Sequence, residues 1–116
     1  MASSGLKGPH TLSADGVDRA VTKTSAGAYA LGCVDTQNTF AISYVGRSDN
    51  DIGKRLKDHI GKYKQFKFDY FGSPKAAFEK ECNLYHDFGE TALDNNIHPA
   101  RPADSDWKCP RCKTFD

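Results

Sequence analysis

No run of this chain approaches the roughly 20 consecutive apolar residues that a membrane-spanning helix needs. The opening MASSGLKGPH has no apolar stretch that could serve as a secretory signal. Neither export nor membrane residence is therefore expected, and the reading is an intracellular protein, cytoplasmic or in a nucleoid or nucleus. Net charge is also scarce, at +1 for 116 residues. No overall field marks the chain as a partner of polyanions, and any such marking must be local. Cysteine is limited to Cys33, Cys82, Cys109 and Cys112. Without an export signal these are expected to be thiols or metal ligands rather than disulfides. Internal repeats and low-complexity segments are absent as well, which excludes solenoids. The length allows one domain with a single modest core.

What is present is patterned. Ala28 to Val34 is a short apolar run bounded by turn residues, as in a buried strand. Asp35-Thr36-Gln37-Asn38 supplies turn chemistry, and Thr39 to Val45, rich in β-branched and aromatic residues, reads as the returning strand. Gly46 to Asp51 reads as a loop, with Asn50 or Asp51 suited to cap a following helix. Ile52, Leu56, His59, Ile60 and Tyr63 recur at spacings of three and four and form one apolar stripe, which Gly61 is expected to end. Phe66, Phe68 and Tyr70 alternate with Lys67 and Asp69 as a third strand. Ser73 and Pro74 open a last helix that runs to about Phe88. Leu12 to Thr24 fits a helical stripe only in part, because Asp15-Gly16 interrupts it.

The expected fold is thus α/β, a small three-stranded, mainly antiparallel sheet flanked by helices. Residues 1–24 form a flexible leader and a covering segment. Residues 25–96 form the functional module, and 97–116 a tail packed on the last helix. The tail carries Pro99, Pro102 and Pro110 and little apolar surface, so something other than a core must order it.

Two chemical features stand out. Lys54, Arg55, Lys57, Lys62, Lys64 and Lys67 face only Asp58 between them, a local basic stripe that could follow a phosphate backbone. Cys109-Pro-Arg-Cys112 has the spacing of a metal knuckle, half of a zinc site. Cys82 and His86 are four apart on the last helix and share one face, so they are proposed as the other half of a Cys₃His set. His98 is the alternative fourth ligand. Glu81, the neighbour of Cys82, lies about 100° around the helix and points elsewhere.

The motifs Gly27-Ala28-Tyr29 and Tyr44-Val45-Gly46, followed by Arg55 and His59 as R-x-x-x-H, then Glu81 on the last helix and Asn96 (or Asn95) beyond it, resemble the GIY-YIG nuclease family. Ala28 and Val45 depart from the family's bulkier residues but remain apolar on strand interiors. The resemblance implies a metal-dependent endonuclease that hydrolyses nucleic acid phosphodiester bonds. It implies Tyr29 as base, Tyr44 as a positioning hydroxyl, Arg55 on the phosphate, and Glu81 as a ligand for catalytic Mg²⁺ (or Mn²⁺). His59 would relay a proton or contact the phosphate. The residue types suit those tasks, since a carboxylate is a hard ligand for Mg²⁺ and a guanidinium forks onto a phosphate. Arg47, Lys54 and Lys57 are expected to add nucleic acid contacts, with DNA favoured over RNA and the protein a monomer or homodimer. The alternative is a catalytically weak nucleic-acid-binding module, or a zinc-stabilised protein-interaction module, on the same fold.

Overall fold

The computed structural model describes residues 6–34, 36–37, 40–87, 99 and 105–111. The described elements are β1 (Lys7–Thr11), α1 (Ala14–Ala20), β2 (Gly27–Val34), β3 (Phe40–Ser48), α2 (Ile52–Lys57), β4 (Gln65–Tyr70) and α3 (Pro74–Asp87). The strands form one sheet in the order β1-β4-β2-β3, with every neighbouring pair antiparallel. β2 is an interior strand, buried from Gly27 through Gly32. Its alternation divides the core: Tyr29 and Leu31 join Val17, Ile52, Leu56, Phe66 and Phe68 on the side covered by α1 and α2. Ala28 and Ala30 join Val45, Leu84 and Tyr85 on the side covered by α3. The result is an α/β fold with a four-stranded antiparallel sheet between helices.

The sheet has one strand more than the three expected, because Lys7–Thr11, assigned above to a flexible leader, pairs with β4. Its sequence, KGPHT, hides the strand: it has no apolar alternation, and its residues are largely exposed. An edge strand tolerates such residues, proline included, because only one side of its backbone must be paired. The segment after it is helical despite Asp15-Gly16. Ser13 caps α1 by accepting a hydrogen bond from Gly16 N at 3.0 Å. Gly16 belongs to that first turn, where a Cβ would collide with the Thr11 carbonyl.

Two further expectations change. β3 runs on to Ser48, so Gly46 and Arg47 are strand residues rather than the start of a loop. The α2 helix stops at Lys57, well short of Gly61. The chain then tightens, with Asp58 N, His59 N and Ile60 N each bonding the carbonyl three residues back. This turn keeps His59 buried but turns Ile60 out, to 39% exposure, against the expected stripe. Asp51 is the α2 cap, accepting from Lys54 N at 3.1 Å. Ser73 caps α3 through Ala76 N at 3.2 Å, as its position before Pro74 predicts. No helix among the described residues is long and apolar enough to cross a membrane.

Candidate active site

The free edge of β3 is where the two faces of the sheet meet, and a cavity of about 450 Å³ opens there. It is lined by Tyr29, Tyr44, Gly46, Arg47, Asp49, Arg55, Asp58, His59, Lys62 and Glu81. Cross-strand register explains how distant residues reach it. Tyr29 faces Gly46, and Leu31 faces Tyr44, so Tyr29, Tyr44 and Gly46 share the α2 side. Arg47 pairs with Ala28 and therefore points to the α3 side, where Glu81 waits.

Gly46 makes the first part of this arrangement possible. A Cβ there would lie 2.6 Å from both Cζ and Oη of Tyr29. The Tyr29 ring therefore lies over the bare glycine backbone and carries its hydroxyl to the sheet edge. Tyr29 Oη is 3.0 Å from His59 Nε2. Tyr44 completes an aromatic group, its ring centroid 4.9 Å from that of His59 and 6.5 Å from that of Tyr29.

Burial sets the electrostatics. It raises the Tyr29 pKa far above its ordinary 10, helped by Tyr44 and Glu81 and opposed by Arg55. Tyr44 is raised for the same first reason, with Glu81 adding to it. Burial lowers the His59 pKa from its ordinary 6.5, and the Lys62 and Arg55 charges lower it further against Asp58. These effects favour the neutral imidazole of His59. If Nε2 accepts from the Tyr29 hydroxyl, the ring proton sits on Nδ1, which is buried with no hydrogen-bond partner among the described residues.

On the opposite wall, Arg47 Nη1 donates to Glu81 Oε1 at 2.6 Å, with the two side chains 13% and 11% exposed. Arg47 Nε also donates to Asp49 Oδ1 at 3.0 Å, and the guanidinium lies 5.1 Å from the Phe78 ring centroid. Burial by itself lowers the Arg47 pKa, but the hydrogen bonds and charges of Glu81 and Asp49 outweigh it and hold the pKa above its ordinary value.

No family model, curated protein or solved structure matches this chain.

The geometry therefore speaks for itself. Tyr29, Tyr44, Arg55, His59 and Glu81, singled out from sequence, come together on one cavity. Arg47, expected to contact nucleic acid, lines the same cavity with its guanidinium on Glu81. Lys54 and Lys57 do not line this cavity. Lys54 is exposed on a neighbouring depression, and Lys57 is ion-paired to Asp18 at 2.6 Å. Asn95 and Asn96 lie outside the described residues. The sequence reading missed Asp49, Asp58 and Lys62 as lining residues. For Lys62, its place three residues after His59 in the basic stripe was the available signal.

On the far face of α3, Cys82 is fully buried with Phe78 and Cys109, and Trp107 packs against them. Cys109 Sγ is 3.4 Å from His86 Nε2 and accepts from Arg111 N at 3.4 Å. Burial, then a hydrogen bond with Cys109, raises the Cys82 pKa well above the ordinary thiol value. Among the described residues, no three His, Cys, Asp or Glu side chains form a ready metal cluster. Cys112 and His98 lie outside those residues.

Proposed function

We propose that this protein is a divalent-metal-dependent endonuclease of the GIY-YIG kind, hydrolysing nucleic acid phosphodiester bonds at the β3-edge cavity. The observation that carries the reading is the convergence of Tyr29, Tyr44, Arg55, His59 and Glu81 on one solvent-accessible cavity from separate elements. Composition offers no reason for such a meeting, and the chemistry of the five side chains is coherent. Arg55, exposed at the mouth, offers a permanently charged fork for the scissile phosphate. Tyr29 and His59 form a proton path. As an attacking water gives its proton to Tyr29 Oη, the tyrosine's own proton passes to His59 Nε2. The resulting hydroxide forms the new P–O bond as the scissile P–O bond breaks, and the leaving oxygen takes a proton from solvent at the open cavity. Tyr29 need not ionise beforehand, which suits its raised pKa. Tyr44, its ring parallel to that of Tyr29 and tilted to that of His59, would position the water with its hydroxyl.

The residues present fit a divalent ion modestly. Glu81 supplies one hard oxygen ligand at an open cavity, as Mg²⁺ with several retained waters requires. Bound there, the ion would neutralise phosphate charge and the developing charge of the leaving oxygen.

The test is Mg²⁺-dependent nicking of supercoiled plasmid by the parent beside Glu81→Gln. Cleavage by the parent alone supports the reading, and equal cleavage by both refutes the role of Glu81. Salt-sensitive binding of DNA without cleavage would instead favour a nucleic-acid-binding module.

A structural zinc at Cys82, His86, Cys109 and Cys112 belongs to the same proposal. It is supported by the 3.4 Å approach of His86 Nε2 to Cys109 Sγ and by the burial of Cys82 against Cys109. Zinc favours thiolates, so it would overcome the raised Cys82 pKa by replacing the thiol proton. Metal analysis should find one equivalent of zinc in the parent and less in Cys109→Ser. Zinc absent from the parent, or unchanged in the variant, refutes this site.

A further inference from the structure

We infer that Arg47 is a built-in competitor of a divalent cation for Glu81, so that metal and a phosphodiester load this site cooperatively. The inference rests on the endonuclease reading and concerns how its site is filled.

The Arg47–Glu81 contact, at 2.6 Å between nearly buried groups, occupies an oxygen of the carboxylate proposed above as the metal ligand. A hard cation must approach a carboxylate oxygen to roughly 2.0–2.1 Å. With the guanidinium still on Oε1, two positive groups would sit within a few ångströms of each other at a nearly buried carboxylate, and they would repel. The cation and Arg47 therefore exclude each other, in whole or in part, from Glu81.

Such a swap is ordinarily prohibitive, because freeing one partner of a buried ion pair strands a charge. Here Arg47 has somewhere to stay. Its Nε already donates to Asp49 Oδ1 at 3.0 Å. The Asp49 side chain is 43% exposed and can turn with the guanidinium. The face of Phe78 supports the same group from behind. Arg47 can thus give up Glu81 while keeping one carboxylate and one aromatic contact.

The cavity it would turn toward already carries the cations of Arg55 and Lys62. Asp58 lies on the same lining, so an incoming phosphodiester competes for these cations, and it offers oxygens that match the guanidinium fork. Drawing Arg47 off Glu81 then lowers the cost of metal entry. By linkage, bound metal strengthens phosphodiester binding by the same factor. The empty enzyme holds metal weakly, and the substrate recruits it.

The test is a Mn²⁺ titration, followed by electron paramagnetic resonance, of the parent, Arg47→Gln and Glu81→Gln. Each is titrated with and without dimethyl phosphate, an uncleaved diester, and its fold is checked by circular dichroism. Removing a charge-assisted competitor should raise Mn²⁺ affinity by roughly tenfold or more in Arg47→Gln. Dimethyl phosphate should tighten Mn²⁺ binding in the parent but not in that variant. If Arg47→Gln binds Mn²⁺ no better than the parent while Glu81→Gln loses the ion, competition is overturned and the metal role of Glu81 survives. If neither the parent nor Arg47→Gln binds Mn²⁺, the metal reading fails with it. A measurement on the parent alone removes dependence on the variant's folding. The Arg47 Nε–H resonance must move as Mg²⁺ saturates the protein, and a resonance that stays fixed overturns the inference.

Discussion

Gly46→Ala adds a single methyl group at the candidate site, and its effect can be worked from one contact. The added methyl would lie 2.6 Å from Cζ and Oη of Tyr29 and 2.9 Å from Cε1. Carbon atoms meet comfortably at about 3.5–4.0 Å, so the ring would have to retreat by about 1 Å. It has little room to do so, being 2% exposed and packed among Leu31, Ile52, Leu56 and Phe68. Overpacking of this kind costs about 1–3 kcal/mol. For a domain of this size, each kcal/mol lowers the melting temperature by about 4 °C or more. The displacement also draws Oη away from His59 Nε2, so under the proposed function cleavage should fall by more than the loss of folded protein explains. The assay is thermal unfolding by circular dichroism beside Gly72→Ala, where a Cβ meets nothing within 4 Å among the described residues. Equal melting of the two variants would refute the claim that Tyr29 rests on Gly46. A destabilised Gly46→Ala with cleavage per folded molecule intact would refute the Tyr29–His59 proton path.

Two other outcomes follow from the same structure. His59 has a folded-state pKa below its unfolded value of 6.5, so folding favours its neutral form. Its contribution to stability is therefore present above pH 6.5 and lost as pH falls below 6.5 through the folded pKa. Denaturant melts at descending pH should show a steeper loss for the parent than for His59→Gln, and parallel curves would contradict the buried, neutral imidazole. Lys57 pairs with Asp18 across side chains that are 43% and 63% exposed, so Lys57→Ala should alter stability by no more than about 1 kcal/mol. If Lys57 meets phosphate, the same variant should bind duplex DNA with a salt dependence shallower by about one unit of slope, and an unchanged slope would remove it from the interface.

Much of this arrangement was legible before any coordinates. The β2–β3 hairpin, the β4 alternation and the Ser73-Pro74 start of α3 are local patterns, set by side-chain periodicity and by caps within a few residues. The placing of Glu81 and Cys82 on different faces of α3 also followed from helical repeat alone, and the two do reach the cavity and the Cys109 cluster respectively. What escaped was non-local. β1 is a strand because β4 offers it a partner, and nothing in KGPHT favours one. Gly16 resembled a helix breaker until the Thr11 carbonyl beside it showed why a side chain is excluded. In sequence Arg47 reads as a loop residue set to meet nucleic acid, and its pairing with Glu81 is not visible there because packing of α3 on the sheet brings that partner from far along the chain. The sequence by itself determined which residues could do chemistry and on which local element each would sit. The tertiary structure alone decided which of them touch, because contacts between distant segments depend on the register and packing of the whole sheet rather than on any pattern within a segment.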